Sequence, residues 1–337
     1  MSKTFLITGG SGFIGSNMVK YLLNKGQIIV IDKAKPVNQK YKNYKNVKFY
    51  LLDINNDKRI FKILKKHKPD FIINFAAESH VDKSIENPKG FAESNINGTL
   101  SLIISLKKYI HIFKKKIKFI QISTDEVYGD IREGNISKEK DNIAPSSPYS
   151  ASKASADIII NSFIRTYKFP GIILRLCNNY GFYQNPEKLI PKIILKIINN
   201  KNIPIYGDGK NKREWIFIND TCEYIYRALF KCKIGETYNI GSNFIKTNYE
   251  VANLILKIFR EKLNFKKIKS KIIFVKDRPG HDKRYCLNSN KIKKLFKIKK
   301  NTKLLDGLAK TCKWYIQNKK IATQLNYDYE KRFGLLK

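Results

Sequence analysis

An apolar strand, Thr4-Phe5-Leu6-Ile7-Thr8, runs without a break into Gly9-Gly10-Ser11-Gly12-Phe13-Ile14-Gly15 and then into a helical pattern near 13–25, and this succession restricts the chain more than any other feature. Glycine has no β-carbon, so the backbone can turn sharply and approach a pyrophosphate, while the following helix offers free N–H groups to the anion. The rest of the first half repeats the rhythm. Strand-like runs fall at about 3–8, 28–32, 47–52, 70–75, 117–123 and 171–176, separated by helical patterns near 56–67, 89–110 and 149–168. Such alternation requires parallel strands with right-handed crossovers, so the expected fold class is α/β with a doubly wound (Rossmann) sheet. Ligands of these sheets sit at the carboxyl ends of the strands. Thr8-Gly9, Asp32, Asp53, Ala76-Ala77 and Ser123-Thr124 all fall there, so distant residues can line one crevice.

At 337 residues the chain exceeds the usual single core, which favours a large α/β domain with a smaller mixed α/β lobe. After about residue 176 the pattern breaks into turns such as Tyr206-Gly207-Asp208-Gly209, and the strand Glu236–Gly241 is expected to return to the sheet. The division predicted is 1–176 for dinucleotide binding, with a return segment at about 213–241, and 177–212 plus 242–337 for the substrate lobe. Segment 38–46, rich in Lys, Asn and Tyr, reads as a solvated loop because strand patterns bracket it closely.

Several function classes lack material. The five cysteines, Cys177, Cys222, Cys232, Cys286 and Cys312, are odd in number and contain no CxxC pair, which favours reduced thiols over a disulfide framework or a zinc site. None of the four histidines lies in an HExxH or nucleophile-elbow setting, so no metal is expected. Met1-Ser2-Lys3 runs directly into the first strand and no apolar run approaches the ~20 residues that span a bilayer, so a soluble, cytoplasmic protein is expected. The net charge of +38 could mark a nucleic-acid surface, but the lysines are spread through nearly every segment and no basic block with interleaved aromatics occurs. A solvated basic surface is the expectation, with no nucleic-acid partner.

Asp32 ends the second strand, where a carboxylate can accept hydrogen bonds from the adenosine ribose and repel a 2′-phosphate, favouring NAD over NADP. Lys33 beside it points the other way, because an adjacent cation could tolerate that phosphate. Asp53-Ile54 ends the third strand and could hold the adenine edge. Tyr149 and Lys153, in the run YSASK, stand one helical turn apart and face the same way. A phenol is a poor base at neutral pH, but a neighbouring ammonium and a positive nicotinamide favour the phenolate. Lys153 can also hydrogen-bond the nicotinamide ribose. Upstream, Thr124-Asp125-Glu126 adds a hydroxyl and two adjacent carboxyls, the second acid and base that an elimination needs and a simple oxidation does not.

The strings TGGSGFIGS, AAESHVDKSI, STDEVYGD, SPYSASKAS, NNYGFYQNPEKLIP, YGDGKNKREW, YNIGS and DRPGHDKRY follow one another across residues 3–285. In this the chain resembles the extended short-chain dehydrogenase/reductase family, and within it the nucleotide-sugar 4,6-dehydratases acting on dTDP-glucose. The resemblance implies NAD as a retained cofactor and oxidation of the glucosyl 4-hydroxyl, with Tyr149 as base and Thr124 polarising the hydroxyl. Glu126 would then remove the carbon-5 proton while Asp125 protonates the departing 6-hydroxyl, and hydride returns to carbon 6. The product is a 4-keto-6-deoxy sugar that precedes rhamnose-type sugars. By the same carry-over Ala76, Ala77, Ser79, Asn95 and Asn178 belong near the cofactor, Ser79 near the sugar as well. Asn179, Glu187, Lys188 and Leu189 belong with the sugar nucleotide, Arg213 and Arg278 act as diphosphate clamps, and Asn248 and Tyr285 lie nearby. A homodimer through the helices near 89–110 and 149–168, packed as a four-helix bundle, is also implied.

Departures from the family pattern are Cys177 for Ser, Phe182 for Pro, Glu214 for Asp, the loop AKPVNQ after Asp32 and a short 129–145 segment. UDP-glucose dehydration and sugar-nucleotide 4-epimerisation remain rival readings, with a basic nucleic-acid-binding Rossmann protein as the distant one.

Overall fold

The computed structural model describes residues 2–35, 44–265 and 267–319. Its first half runs β1 (Lys3–Thr8), α1 (Phe13–Leu22), β2 (Gly26–Asp32), β3 (Val47–Leu51), α2 (Asp57–His67), β4 (Phe71–Asn74), α3 (Val81–Glu86), α4 (Pro88–Phe91), α5 (Gly98–Phe113), β5 (Lys118–Thr124), α6 (Pro148–Tyr167) and β6 (Gly171–Leu176). These six strands and a later one, β10, form a seven-stranded sheet in the order β10-β6-β5-β4-β1-β2-β3. Every pairing in it is parallel. A sheet buried on both faces needs continuous apolar strands rather than alternating ones. Successive residues therefore enter opposite cores: Phe5 and Ile7 join one cluster with Ile28 and Val30, while Leu6 joins the other with Ile29, Ile31, Leu64 and Leu102. The order in which strands are added reverses between β1 and β4, and a crevice opens at such a switch point.

One predicted helix divides. The pattern near 89–110 resolves into α4, a π-helical turn over Ala92–Asn97, and α5, preceded by α3, which the periodicity does not signal. Asn87 accepts the N–H of Gly90 at 3.1 Å and Pro88 occupies the first helical position, so the helix must restart there. The helix carrying Tyr149 and Lys153 has its start fixed locally. Ser147 accepts the N–H of Ser150 at 3.1 Å, and Ser150 Oγ accepts the N–H of Ser147 at 3.0 Å, a reciprocal cap with Pro148 at the first position.

The second half runs β7 (Asn178–Tyr180), α7 (Leu189–Ile198), β8 (Ile203–Tyr206), β9 (Lys212–Phe217), α8 (Ile218–Lys231), β10 (Thr237–Ile240), β11 (Ile245–Thr247), α9 (Asn248–Glu261), β12 (Ile272–Val275), α10 (Asn290–Phe296) and α11 (Leu304–Gln317). The predicted return segment of 213–241 separates into two parts. β9 belongs to a three-stranded sheet, β11-β9-β7, while α8 and β10 return to the main sheet. A two-stranded parallel pair, β12-β8, completes the smaller lobe. Among the described residues no helix is long and apolar enough to cross a membrane, and no group of three or more His, Cys, Asp or Glu could hold a metal. All five cysteines are free and buried. Most of the predicted loop at 38–46, and the AKPVNQ departure from Pro36 onward, lie outside the described residues.

Candidate active site

A cavity of about 640 Å³ opens at the carboxyl ends of the strands, over the β1/β4 switch, within the usual range for small-molecule sites. Its floor is the glycine turn. Gly9 has φ +67°, and a β-carbon there would lie 2.5 Å from the Ala76 nitrogen; one on Gly15 would lie 2.2 Å from the Gly9 carbonyl. Chain and sheet therefore touch where only glycine fits, and Gly12, Phe13 and Ile14 line the cavity at the start of α1. The first turn of α1 carries no acidic residue, so nothing there opposes an anion. Asp32 closes one end, its carboxylate accepting the N–H of Ser11 at 2.8 Å and of Ala34 at 2.9 Å. Burial pushes this carboxyl up, against the pull of those two donors.

Asp53, Ile54, Ala76, Ala77, Ser79 and Asn178 also line the cavity. Asn178 Oδ1 is buried without a partner, an acceptor left available to a ligand. Asp53 is partly occupied, because its Oδ1 accepts the N–H of Asn55 at 2.8 Å. Asn95 departs from expectation. It does not line the cavity; it braces the loop after β4, with Oδ1 accepting the Glu78 N–H at 2.8 Å and Nδ2 donating to the Glu78 carbonyl at 2.9 Å and to Ser152 Oγ at 2.8 Å.

Thr124, Asp125, Glu126, Tyr149 and Lys153 meet in the same cavity. The end of β5 turns into a short 3-10 segment, Asp125–Tyr128, which Thr124 caps by accepting the Glu126 N–H at 3.2 Å. Thr124 Oγ1 also donates to Asp125 Oδ1 at 3.2 Å, while Asp125 Oδ2 is buried without a partner. Burial, then the charges of Glu126 and Glu214, hold the Asp125 carboxyl well above the ordinary range. Glu126 is the more open of the two. Its carboxyl is raised by burial too, with Arg278, Arg213 and Lys188 pulling down. The Tyr149 phenol is pushed up by burial and by Glu126, against a hydrogen bond with Thr124. Lys153, expected to favour the phenolate, instead donates its Nζ to the Ile122 carbonyl at 2.6 Å. Burial brings this ammonium down to about 8, opposed by the charge of Asp157 one turn further along α6.

The substrate side divides into residues at the cavity wall and residues behind it. Asn179, Glu187 and Lys188 line the cavity; Leu189, Arg213, Asn248, Arg278 and Tyr285 do not. Lys188 Nζ reaches the Ser79 carbonyl at 2.6 Å, and Glu187 pairs with Lys83 at 3.0 Å. Asn179 is occupied at both ends of its amide, Oδ1 accepting from Thr221 at 2.5 Å and Nδ2 donating to the Cys177 carbonyl at 2.8 Å. Arg213 donates to the Asp282 carbonyl at 2.8 Å and stands 4.2 Å over the Tyr285 ring. Tyr285 in turn donates to Asp282 Oδ2 at 2.5 Å. Leu189 and Asn248 are the first residues of α7 and α9. Arg278 pairs with Asp82 at 3.1 Å, leaving its Nε buried and without a partner. Both guanidiniums act on Glu126, so the pieces converge electrostatically even where they do not touch.

Sequence reasoning missed Asp82 and Tyr206, whose hydroxyl donates to Asp82 Oδ2 at 3.0 Å. Both lie inside strings that carry the family resemblance, but no local pattern marks them, and Asp82 is 196 residues from the arginine it holds. Of the departures, Glu214 is accommodated as a buried tie, accepting the N–H groups of Asn243 at 2.7 Å and Leu287 at 2.9 Å. Phe182 packs edge-on to Phe217, with ring centres 5.5 Å apart. Cys177 lines the cavity.

Residues 6–311 match the family model described as GDP-mannose 4,6 dehydratase. A dTDP-glucose 4,6-dehydratase of Haemophilus influenzae is 41% identical over 330 residues, covering 93% of this chain and 98% of the relative. The solved dTDP-glucose 4,6-dehydratase of Bacillus anthracis, in complex with NAD, superposes with a TM-score of 0.85 at 38% identity, covering 96% of this chain and 100% of that one. The Streptomyces venezuelae enzyme of the same name, also with NAD bound, gives 0.87 at 35% identity over 96% of this chain and 100% of its own. The chain belongs to the dTDP-glucose 4,6-dehydratase family, within the extended short-chain dehydrogenase/reductases.

Proposed function

We propose that this chain is an NAD-dependent dTDP-glucose 4,6-dehydratase, a hydro-lyase that makes the 4-keto-6-deoxy sugar nucleotide for deoxysugar biosynthesis in the cytoplasm. One observation carries the reading: two adjacent carboxyls, Asp125 and Glu126, both raised, share a cavity with Tyr149 and Lys153. A 4-epimerase has no use for a second acid and base, whereas elimination needs both in one pocket.

NAD, when bound, accepts and returns a hydride and brings a positive ring that favours the phenolate of Tyr149. The glycine turn, the start of α1 and Asp32 would hold it, and Lys153, which lines the same cavity, would donate to its nicotinamide ribose. Tyr149 takes the proton of the 4-hydroxyl, which Thr124 orients. The resulting ketone acidifies carbon 5. Glu126, the carboxyl open to the cavity, removes that proton. Asp125, held protonated by burial and by its neighbour, gives a proton to the departing 6-hydroxyl, so that water leaves. The proton kept by Glu126 returns to carbon 5 as carbon 6 is reduced.

Arg278 and Arg213 stand behind the cavity wall and would serve the diphosphate as guanidinium donors, a role supported by the buried and unpartnered Nε of Arg278. The chain acts as a homodimer through α5 and α6. The apolar side chains exposed on these helices, Ile104, Ile112, Phe113 and Ile158, support this pairing.

Incubation with dTDP-glucose and with UDP-glucose, followed by detection of the alkali-absorbing 4-keto product, tests the reading. The expected result is faster turnover of the thymidine nucleotide. No product from either nucleotide would overturn it.

A further inference from the structure

We propose that Glu78 sets the preference between the two nicotinamide dinucleotides by holding Lys33 away from the adenosine ribose. The inference rests on the groove being the dinucleotide site. Lys33 directly follows Asp32, the place from which a cation could pair with a 2′-phosphate. The main chain around it is fixed, since the Asp32 carboxylate accepts N–H groups from Ser11 on one side and from Ala34 on the other, at 2.8 and 2.9 Å. The Lys33 ammonium is already engaged. It crosses to the loop after β4 and donates to Glu78 Oε1 at 2.7 Å, 45 residues further along the chain.

Glu78 is held in place to receive it. Its N–H and its carbonyl are both engaged by the amide of Asn95, at 2.8 and 2.9 Å, and Asn95 is 1% exposed. The same amide donates to Ser152 on α6, whose hydroxyl donates to the Tyr149 carbonyl at 2.7 Å. A buried asparagine thus ties the acid that neutralises Lys33 to the helix that carries the catalytic tyrosine. Lys33 and Glu78 both line the cavity. Burial lowers the ammonium, but the hydrogen bond and charge of Glu78 outweigh it, so the lysine stays protonated and paired. A 2′-phosphate therefore meets the carboxylate of Asp32 while the Lys33 ammonium is held by Glu78. The pair is half open to water, with side-chain exposures of 53% and 40%, so its hold is modest.

The test is the ratio of NADP to NAD affinity, read by fluorescence titration of the full-length protein freed of bound cofactor, for wild type, Glu78→Gln, and Glu78→Gln combined with Lys33→Gln. The single substitution should move the ratio toward NADP by about fivefold, the scale of one exposed ion pair. The double variant should lose that gain. An unchanged ratio in Glu78→Gln overturns the proposal. So does a gain that persists without Lys33, because Glu78 or the remaining cations, Lys35 among them, would then act directly on the phosphate. Wild-type protein that binds neither dinucleotide overturns the reading of the groove itself, an outcome distinct from both.

Discussion

Replacing Lys153 with methionine should abolish turnover and yet stabilise the fold. The ammonium is buried at 4% exposure and its pKa falls from 10.5 to about 8. Holding it charged in the folded state at neutral pH costs about 3 kcal/mol relative to the unfolded chain, at about 1.4 kcal/mol per unit. Methionine is neutral and of similar length, so this cost disappears. Part of the gain is offset, because the Ile122 carbonyl loses a donor at 2.6 Å, worth about 1–2 kcal/mol; the attraction of Asp157 is already contained in the net fall to about 8. A net gain of about 1–2 kcal/mol corresponds to a rise of roughly 1–3 °C in Tm for a chain of this size.

The pH dependence gives the sign. The folded pKa lies below the unfolded one, so between about 8 and 10.5 the unfolded chain binds more protons and wild-type stability rises with pH. Below about 8 lysine is protonated in both states, and the full cost is present. The gap between Lys153→Met and wild type should thus be constant from pH 6 to about 7.5 and close as pH rises toward 10. Thermal denaturation of both proteins, matched in cofactor content, measures it. A variant that melts below wild type at pH 7, or a gap independent of pH, would refute the account of a strained buried ammonium.

Three other outcomes follow from the site. Tyr149→Phe should lose the first hydride transfer, whereas Glu126→Gln should still oxidise the sugar and stall before elimination, seen as reduced nicotinamide accumulating in a single turnover; full turnover by Glu126→Gln would remove that carboxylate from the mechanism. Arg278→Lys should raise KM for dTDP-glucose about tenfold or more while kcat changes little, because a point charge replaces a forked donor set; a fall in kcat at constant KM would place Arg278 in the chemical step instead. Ile158→Lys, at a side chain 58% exposed on α6, should shift the protein to monomer in light scattering, and an unchanged mass would exclude that face as the interface.

Much of this architecture is legible in order and spacing. Strands with both faces buried need unbroken apolar runs, and the runs at 3–8 and 171–176 coincide with β1 and β6. The cap Ser147-Pro148-Tyr149-Ser150 is local, so the start of the catalytic helix can be read from four residues. Asn95 was less legible. The family resemblance implies a place near the cofactor, but only the folded loop reveals that both ends of its amide are used up on Glu78 and Ser152.

The parallel α/β class, the glycine turn and the inventory of acids and bases can be read from the order of residues alone, because they depend on periodicity, on the missing β-carbon and on neighbours within one helical turn. The state of those groups depends on what the fold brings around them. Asp125 and Glu126 are adjacent in any conformation; burial beside Glu214, with Arg213 and Arg278 brought in from beyond residue 212, sets how firmly each holds its proton. Lys33 follows Asp32 in the chain but is spoken for by Glu78, and Arg278 waits on Asp82. Charge acts through space and through the local dielectric, and neither is written in the order of residues.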